Sequence, residues 1–144
     1  MYPSLGPEPR CPVVRSLDVI GEKWSLLIVR DAHRGLTRFG EFRESLGAPT
    51  DVLASRLASL VDRGILEKRP YREAGSRERV SYHLTAAGEG LLVVIAAMAQ
   101  WSNEFARGPH APSSRIAGAD GSARALAFVT PEGIVTDDAE LVPA

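Results

Sequence analysis

The sequence predicts a mainly α chain carrying a small β-hairpin, and three observations lead to that expectation. Four short segments between residues 12 and 64 place apolar side chains three to four apart. After Gly64 the apolar period drops to about two for two stretches, and a strongly apolar segment then returns to helical character. Periods of 3.6 and 2 distinguish a helix with one buried face from a half-buried strand.

The elements follow in chain order. Residues 1–10 hold three prolines and little to bury, and read as a flexible arm. Pro12 suits the first turn of a helix, where its missing N–H would be unpaired, and PVVRSLDVI runs from it to Gly21. EKWSLLIVRDAH sets Trp24, Leu27, Ile28 and Asp31 on one side and closes at Gly35. Thr37 is the expected cap of a third helix, FGEFRESLG, with Phe39, Phe42 and Leu46 inward. Ala48 and Pro49 break the chain. Thr50 is then the expected N-cap of a fourth helix with Leu53, Leu57, Leu60 and Val61 as its apolar stripe and Gly64 as its stop.

ILEKRPY and RVSYHLT alternate apolar and polar residues around the loop EAGSRE, which makes a two-stranded wing. Thr85 caps a last helix through residue 105, apolar nearly all round from Leu91 to Trp101 and so expected to be buried on most sides. RGPHAPSSRIAGADGSA reads as linker. Beyond it ALAFVTPEGIVT has the form of a hairpin, with Pro131 and Gly133 at the second and fourth places of a type I turn. The expected organisation is an arm at 1–10, one domain with its terminal helices at 11–106, a linker at 107–124 and a hairpin extension at 125–144.

The totals bound this reading. The chain has 144 residues, 44% of them hydrophobic, which is room for one ordinary domain and an appendage. A single cysteine excludes an internal disulfide framework and a thiolate-rich zinc site, and points to a reducing, cytoplasmic setting. The longest apolar run, 91–99, is too short to span a bilayer, and the N-terminus shows no secretory signal. His33, His83 and His110 stand far apart, and no phosphate loop or catalytic motif appears. The chain is therefore not expected to be an enzyme or to hold a cofactor.

With the leucines of the fourth helix inward, Val52, Ser55, Arg56, Ser59 and Arg63 fall on the other side. Small and basic residues so placed suit a helix entering a major groove, whereas a merely solvated face is the simpler alternative. Charge distribution bears on the choice. The formal charge of the chain is −1, yet residues 34–79 hold ten basic against seven acidic side chains, and the stretch from Arg107 onward holds three against five. Arg72, Arg77 and Arg79 flank the wing tip, and Thr37 with Arg38 stand at the entry to the third helix, where a phosphate could sit.

CPVVRSLDVIGEKWSLLIVRD, RFGEFRESLG, VLASRLASLVDRGILEKRPY and VSYHLTAAG, in this order and spacing, resemble the HxlR family of bacterial winged helix-turn-helix transcription regulators, relatives of the MarR group. The resemblance covers about residues 11 to 105. It implies a winged helix-turn-helix fold that dimerises through its terminal helices, with the fourth helix in the major groove of double-stranded DNA and the wing on the flanking backbone. Thr50, Asp51, Val52, Ser55, Arg56 and Ser59 then join Thr37, Arg38, Arg72, Arg77 and Arg79 as expected DNA contacts. Cys11, Val14, Leu91, Ile95, Met98, Trp101 and Phe105 are the expected homodimer contacts.

The chain departs from the family pattern at Asp51, where relatives usually carry a lysine. An aspartate repels phosphate but can accept from a cytosine amino group. The wing tip is also longer and richer in arginine than is common, and the tail lacks the cysteine pairs that some relatives carry, so no metal is expected there. Cys11 precedes Pro12 at a helix N-terminus near Arg10 and Arg15, surroundings that favour thiolate. Family members sense electrophiles or oxidants through a cysteine at this place, so Cys11 is either a redox sensor or a structural interface residue. The expected function is a homodimeric repressor on a pseudo-palindromic operator, released by a small molecule or by thiol chemistry. The alternative is a winged-helix module that binds another protein and not DNA.

Overall fold

The computed structural model describes residues 11–112 and 115–142, so the expected arm at residues 1–10 lies outside the described residues. The chain divides into two compact units between Leu92 and Val93. The first holds α1 (Pro12–Ile20), α2 (Lys23–His33), α3 (Phe39–Leu46), α4 (Thr50–Asp62), the wing strands β1 (Leu66–Tyr71) and β2 (Arg79–Leu84), and the short α5 (Ala86–Gly90). It is a winged helix-turn-helix: mainly helical, with one antiparallel two-stranded hairpin.

Helix α2 is the centre of this unit and packs against α1, α3, α4 and β2. Ile28 and Val29 from α2, Phe42 from α3, and Leu53, Leu57 and Leu60 from α4 are almost fully removed from solvent, together with Leu66 at the start of the wing. Among them lies a buried carboxylate. Asp31 accepts from Arg30 Nε at 2.8 Å and from Ser45 Oγ at 2.7 Å, which ties the end of α2 to α3. A carboxylate so buried needs such partners, and they fix the angle between the two helices.

The turn after α4 sets the wing. Gly64 has φ 70°, a left-handed conformation that only glycine adopts freely. Its N–H donates to Val61 O and the Ile65 N–H donates to Leu60 O, both at 2.9 Å, the two bonds of a Schellman motif. The chain leaves the helix already extended, and β1 pairs with β2 from Leu66 opposite Leu84 to Tyr71 opposite Arg79. The segment before α3 adds to β2, for the Tyr82 N–H donates to Thr37 O at 2.7 Å and Arg38 bridges to Ser81.

Three local expectations change. Thr37 does not cap α3; Arg38 is the N-cap residue, and the Glu41 carboxylate accepts from the N–H groups of both Thr37 and Arg38. Thr50 is the first residue of α4 and Pro49 its N-cap. The expected long helix after Thr85 is two helices, α5 and α6 (Leu92–Phe105), with Leu91 closing α5. Gly88 and Gly90 lower the helical preference there. Thr85 does cap α5, accepting from the Gly88 N–H at 3.2 Å.

The second unit begins at Val93 and carries most of α6 and a tail. Its hairpin, β3 (Phe128–Val129) and β4 (Val135–Thr136), turns through Thr130, Pro131, Glu132 and Gly133, where Gly133 N–H donates to Thr130 O at 2.8 Å. Gln100 on α6 holds the tail as a strand would: its amide donates to Leu126 O at 3.0 Å and accepts from Leu126 N–H at 2.8 Å. Helix α6 is not buried on most sides as expected. Only Ala96 is, while Val93, Met98, Trp101 and Phe105 are more than half exposed.

Gly88 makes the tightest approach in the first unit. A Cβ built on it would stand 2.3 Å from Ile65 O and 2.9 Å from Leu84 Cδ2. Gly88→Ala is therefore expected to push α5 off the wing base and to cost about 2 kcal/mol of stability, as overpacking does. Urea unfolding checks this, and an unchanged midpoint would refute the tight contact.

Candidate nucleic-acid interface

The orientation of α4 follows from its buried leucines. Leu53, Leu57 and Leu60 lie within a narrow arc of the helix, and the opposite arc carries Asp51, Ser55, Ala58 and Asp62, all exposed. Val52, Arg56 and Ser59 sit about a quarter turn away and are half-buried, with Arg63 exposed just beyond the last turn. The expected outward set is thus corrected in part. Ser55 points outward with Asp51, whereas Val52, Arg56 and Ser59 form a flank. The flank is expected outward from sequence because three leucines define an inward direction only coarsely. Asp62 on the outward row was missed for the same reason.

The wing supplies the free cations. Arg72, Arg77 and Arg79 are exposed and have no ion-pair partner among the described residues. Glu73 and Ser76 close a turn at the tip, Ser76 N–H donating to Glu73 O at 3.0 Å around Gly75 with φ 77°. Arg43, Arg56, Arg63 and Lys68 likewise have no ion pair among the described residues, whereas other basic side chains are engaged. Arg69 forms a pair with Glu67 at 2.7 Å, and Arg30 and Arg34 with Asp31.

At the entry to α3 the two backbone donors expected to meet a phosphate are occupied. Glu41 takes them at 2.8 and 2.9 Å, and these two bonds hold its carboxyl below the usual carboxylate range. The Arg38 guanidinium is also engaged, 2.6 Å from Glu73 Oε1 and 4.7 Å from the centre of the Tyr71 ring. Thr37 is half-buried and uses its carbonyl on β2. Both residues stand at the entry to α3 as expected, and there their N–H groups, the Thr37 carbonyl and the Arg38 guanidinium are engaged.

The expected dimer residues fall in both units. Cys11 is exposed at the N-cap of α1, and Val14 and Leu91 are half-buried. In the second unit Ile95 is half-buried and Met98, Trp101 and Phe105 are exposed, the two rings 6.0 Å apart and tilted by 38°.

Near the wing base, Thr37, Arg69, Tyr82 and His83 line an open hollow of about 300 Å³. Burial pushes the Tyr82 phenol above its usual range. Among the described residues no three His, Cys, Asp or Glu side chains gather as metal ligands, and no helix is long and apolar enough to cross a membrane.

Comparison with known proteins supplies the context. The solved structure of PA1607, described as a candidate transcription factor, is 37% identical, superposes with a TM-score of 0.80, and is matched over 95% of this chain and 97% of its own. HypR, a redox regulator solved in its reduced form, is 31% identical with a TM-score of 0.58 over 65% of this chain and 91% of its own. The uncharacterized HTH-type transcriptional regulator Rv3095 of Mycobacterium tuberculosis (strain ATCC 25618 / H37Rv) is 39% identical over 104 residues. Those residues are 72% of this chain, and this chain spans 65% of the length of that relative. The model of the HxlR-like helix-turn-helix family matches residues 19–109, and on that match, the winged fold and these relatives, this chain belongs to the HxlR-like helix-turn-helix family.

Proposed function

We propose that the chain is a sequence-specific DNA-binding transcription regulator, a homodimeric repressor that places α4 of each subunit in successive major grooves of a pseudo-palindromic operator. One observation carries this reading: α4 buries its leucines and offers Asp51 and Ser55 outward at its N-terminal end, with Thr50 exposed at its first position, beside a wing whose Arg72, Arg77 and Arg79 are unpaired among the described residues. An N-terminal half free of bulky side chains suits entry into a groove, and the free arginines suit phosphates or a minor groove. Two-fold symmetry sets the half-sites about 10 base pairs apart. Val52, Arg56 and Ser59, on the flank, reach base edges or backbone on one side of the groove. Asp51 accepts from a cytosine N4 amino group, so the operator carries C·G at that step.

The dimer joins through Cys11, Val14, Leu91, Ile95, Met98, Trp101 and Phe105, and the exposure of the last three on α6 supports this. Release follows from a change in the spacing of the two α4 helices. A small-molecule effector or oxidation of Cys11 drives it; the second is favoured by the exposure of Cys11 and by the redox regulator among the similar structures.

Three measurements test these assignments. Binding to the chain's own promoter region should weaken steeply with salt; Arg77→Ala with Arg79→Ala, which removes two arginines from each of two subunits, should lower the log–log salt slope by about 4 at every sequence. Asp51→Ala in the same titration should relax only the preference for cytosine. Absence of binding at low salt would refute the regulator and favour a protein-binding module. Trp101→Glu should raise the dimer dissociation constant by about 100-fold, since an unpaired charge would be buried in the interface, and sedimentation equilibrium reads this directly. Diamide should release operator DNA from the wild-type protein and not from Cys11→Ser; release from both would remove the thiol switch.

A further inference from the structure

The Arg38 side chain makes the only ion pair among the described residues that joins the helical entry to the wing tip, across 35 residues of sequence. Its backbone is held twice before the side chain begins. The Glu41 carboxylate accepts from the Arg38 N–H at 2.9 Å, and Arg38 also bridges to Ser81 on β2 while its neighbour Thr37 accepts from Tyr82. From that fixed base the guanidinium crosses the sheet, stacks over Tyr71 at 4.7 Å, and donates to Glu73 at 2.6 Å. Tyr71 is the last residue of β1, and Glu73 opens the turn that carries the tip.

An exposed ion pair contributes little to global stability, and this one is about half exposed at both ends. Its effect is on geometry. A two-stranded hairpin is marginal by itself and bends readily. The clasp adds a third point of attachment beyond the strand pairing, close to Arg72, Arg77 and Arg79. A planar guanidinium that both stacks and pairs restricts the tip in two directions, which a lysine ammonium would not do.

We propose that Arg38 is a positioning residue, which with Tyr71 and Glu73 forms a clasp that sets the angle of the wing to α3 and α4, and is not itself a phosphate contact. The proposal rests on the DNA-binding reading for its effect on affinity, but the clasp can be tested without DNA.

The sign of one substitution separates the two roles. If Arg38 met a phosphate directly, Glu73→Gln would free it and remove a repelling charge, and operator affinity would rise. If the clasp positions the wing, Glu73→Gln weakens binding by about threefold, the worth of one exposed ion pair. Arg38→Ala, which also removes the stack over Tyr71, should then lower affinity by about fivefold, Arg38→Ala with Glu73→Gln should be no worse than Arg38→Ala alone, and Arg38→Lys should restore only part. A rise in affinity for Glu73→Gln, or additive losses in the double variant, would overturn the proposal.

The DNA-free arm uses full-length Cys11→Ser with spin labels at Ser76→Cys on the wing tip and Glu44→Cys on α3. Pulsed dipolar spectroscopy should give one narrow distance that broadens in Arg38→Ala and in Glu73→Gln. An unchanged distribution in both would overturn the clasp even if DNA binds. Should the wild type bind no DNA at low salt, the regulator reading fails while the distances still decide the clasp.

Discussion

Burial of Leu53, Leu57 and Leu60 beneath α2 is the constraint on which the rest of the first unit depends. Each buried leucine is worth about 2 kcal/mol, and because they lie in one arc they fix the rotation of α4 about its axis. Rotating the helix by a quarter turn toward the flank would expose them and bury Arg56 and Ser59 instead. The same helix ends in a Schellman turn that places Ile65 back over Leu60 and starts β1 in a set direction. Thus the direction of the outward row and the departure of the wing come from one packing decision.

Around that packing, charge is arranged by engagement more than by number. The segment from Arg34 to Arg79 has a modest basic excess, but its arginines are not equivalent. Those near the core serve structure: Arg30 and Arg34 answer the buried Asp31, and Arg38 answers Glu73. Those at the wing tip have no such partner and remain available to a polyanion. Counting charges along the chain misses this division, because pairing is a property of distances that sequence spacing does not give.

Much of the fold was legible in the residues. Pro12, Gly21, Gly35 and Gly64 mark helix ends; the change of period after Gly64 marks the wing; and Pro131 with Gly133 marks the tail turn. The misses share a physical cause. Thr37 and Thr50 both have capping chemistry, but Glu41 reaches back from the third helical position, and α4 starts one residue early after Pro49. The break between α5 and α6 came from glycines inside an apolar pattern that otherwise favours one long helix. Gln100, a polar residue on an apolar helix, carries no local signal that its amide holds Leu126.

By itself the sequence determined the order and kind of the elements up to Thr85, the leucine stripe of α4, the basic wing tip and the family, because these depend on local propensity, on apolar period and on motifs read in one dimension. Tertiary structure alone decided which face of α4 is outermost, which arginines are free, that Glu41 occupies the donors at the start of α3, and that Arg38 grips the wing. Those outcomes depend on side chains that are far apart in the chain and meet only after the helices pack, so no local pattern records them.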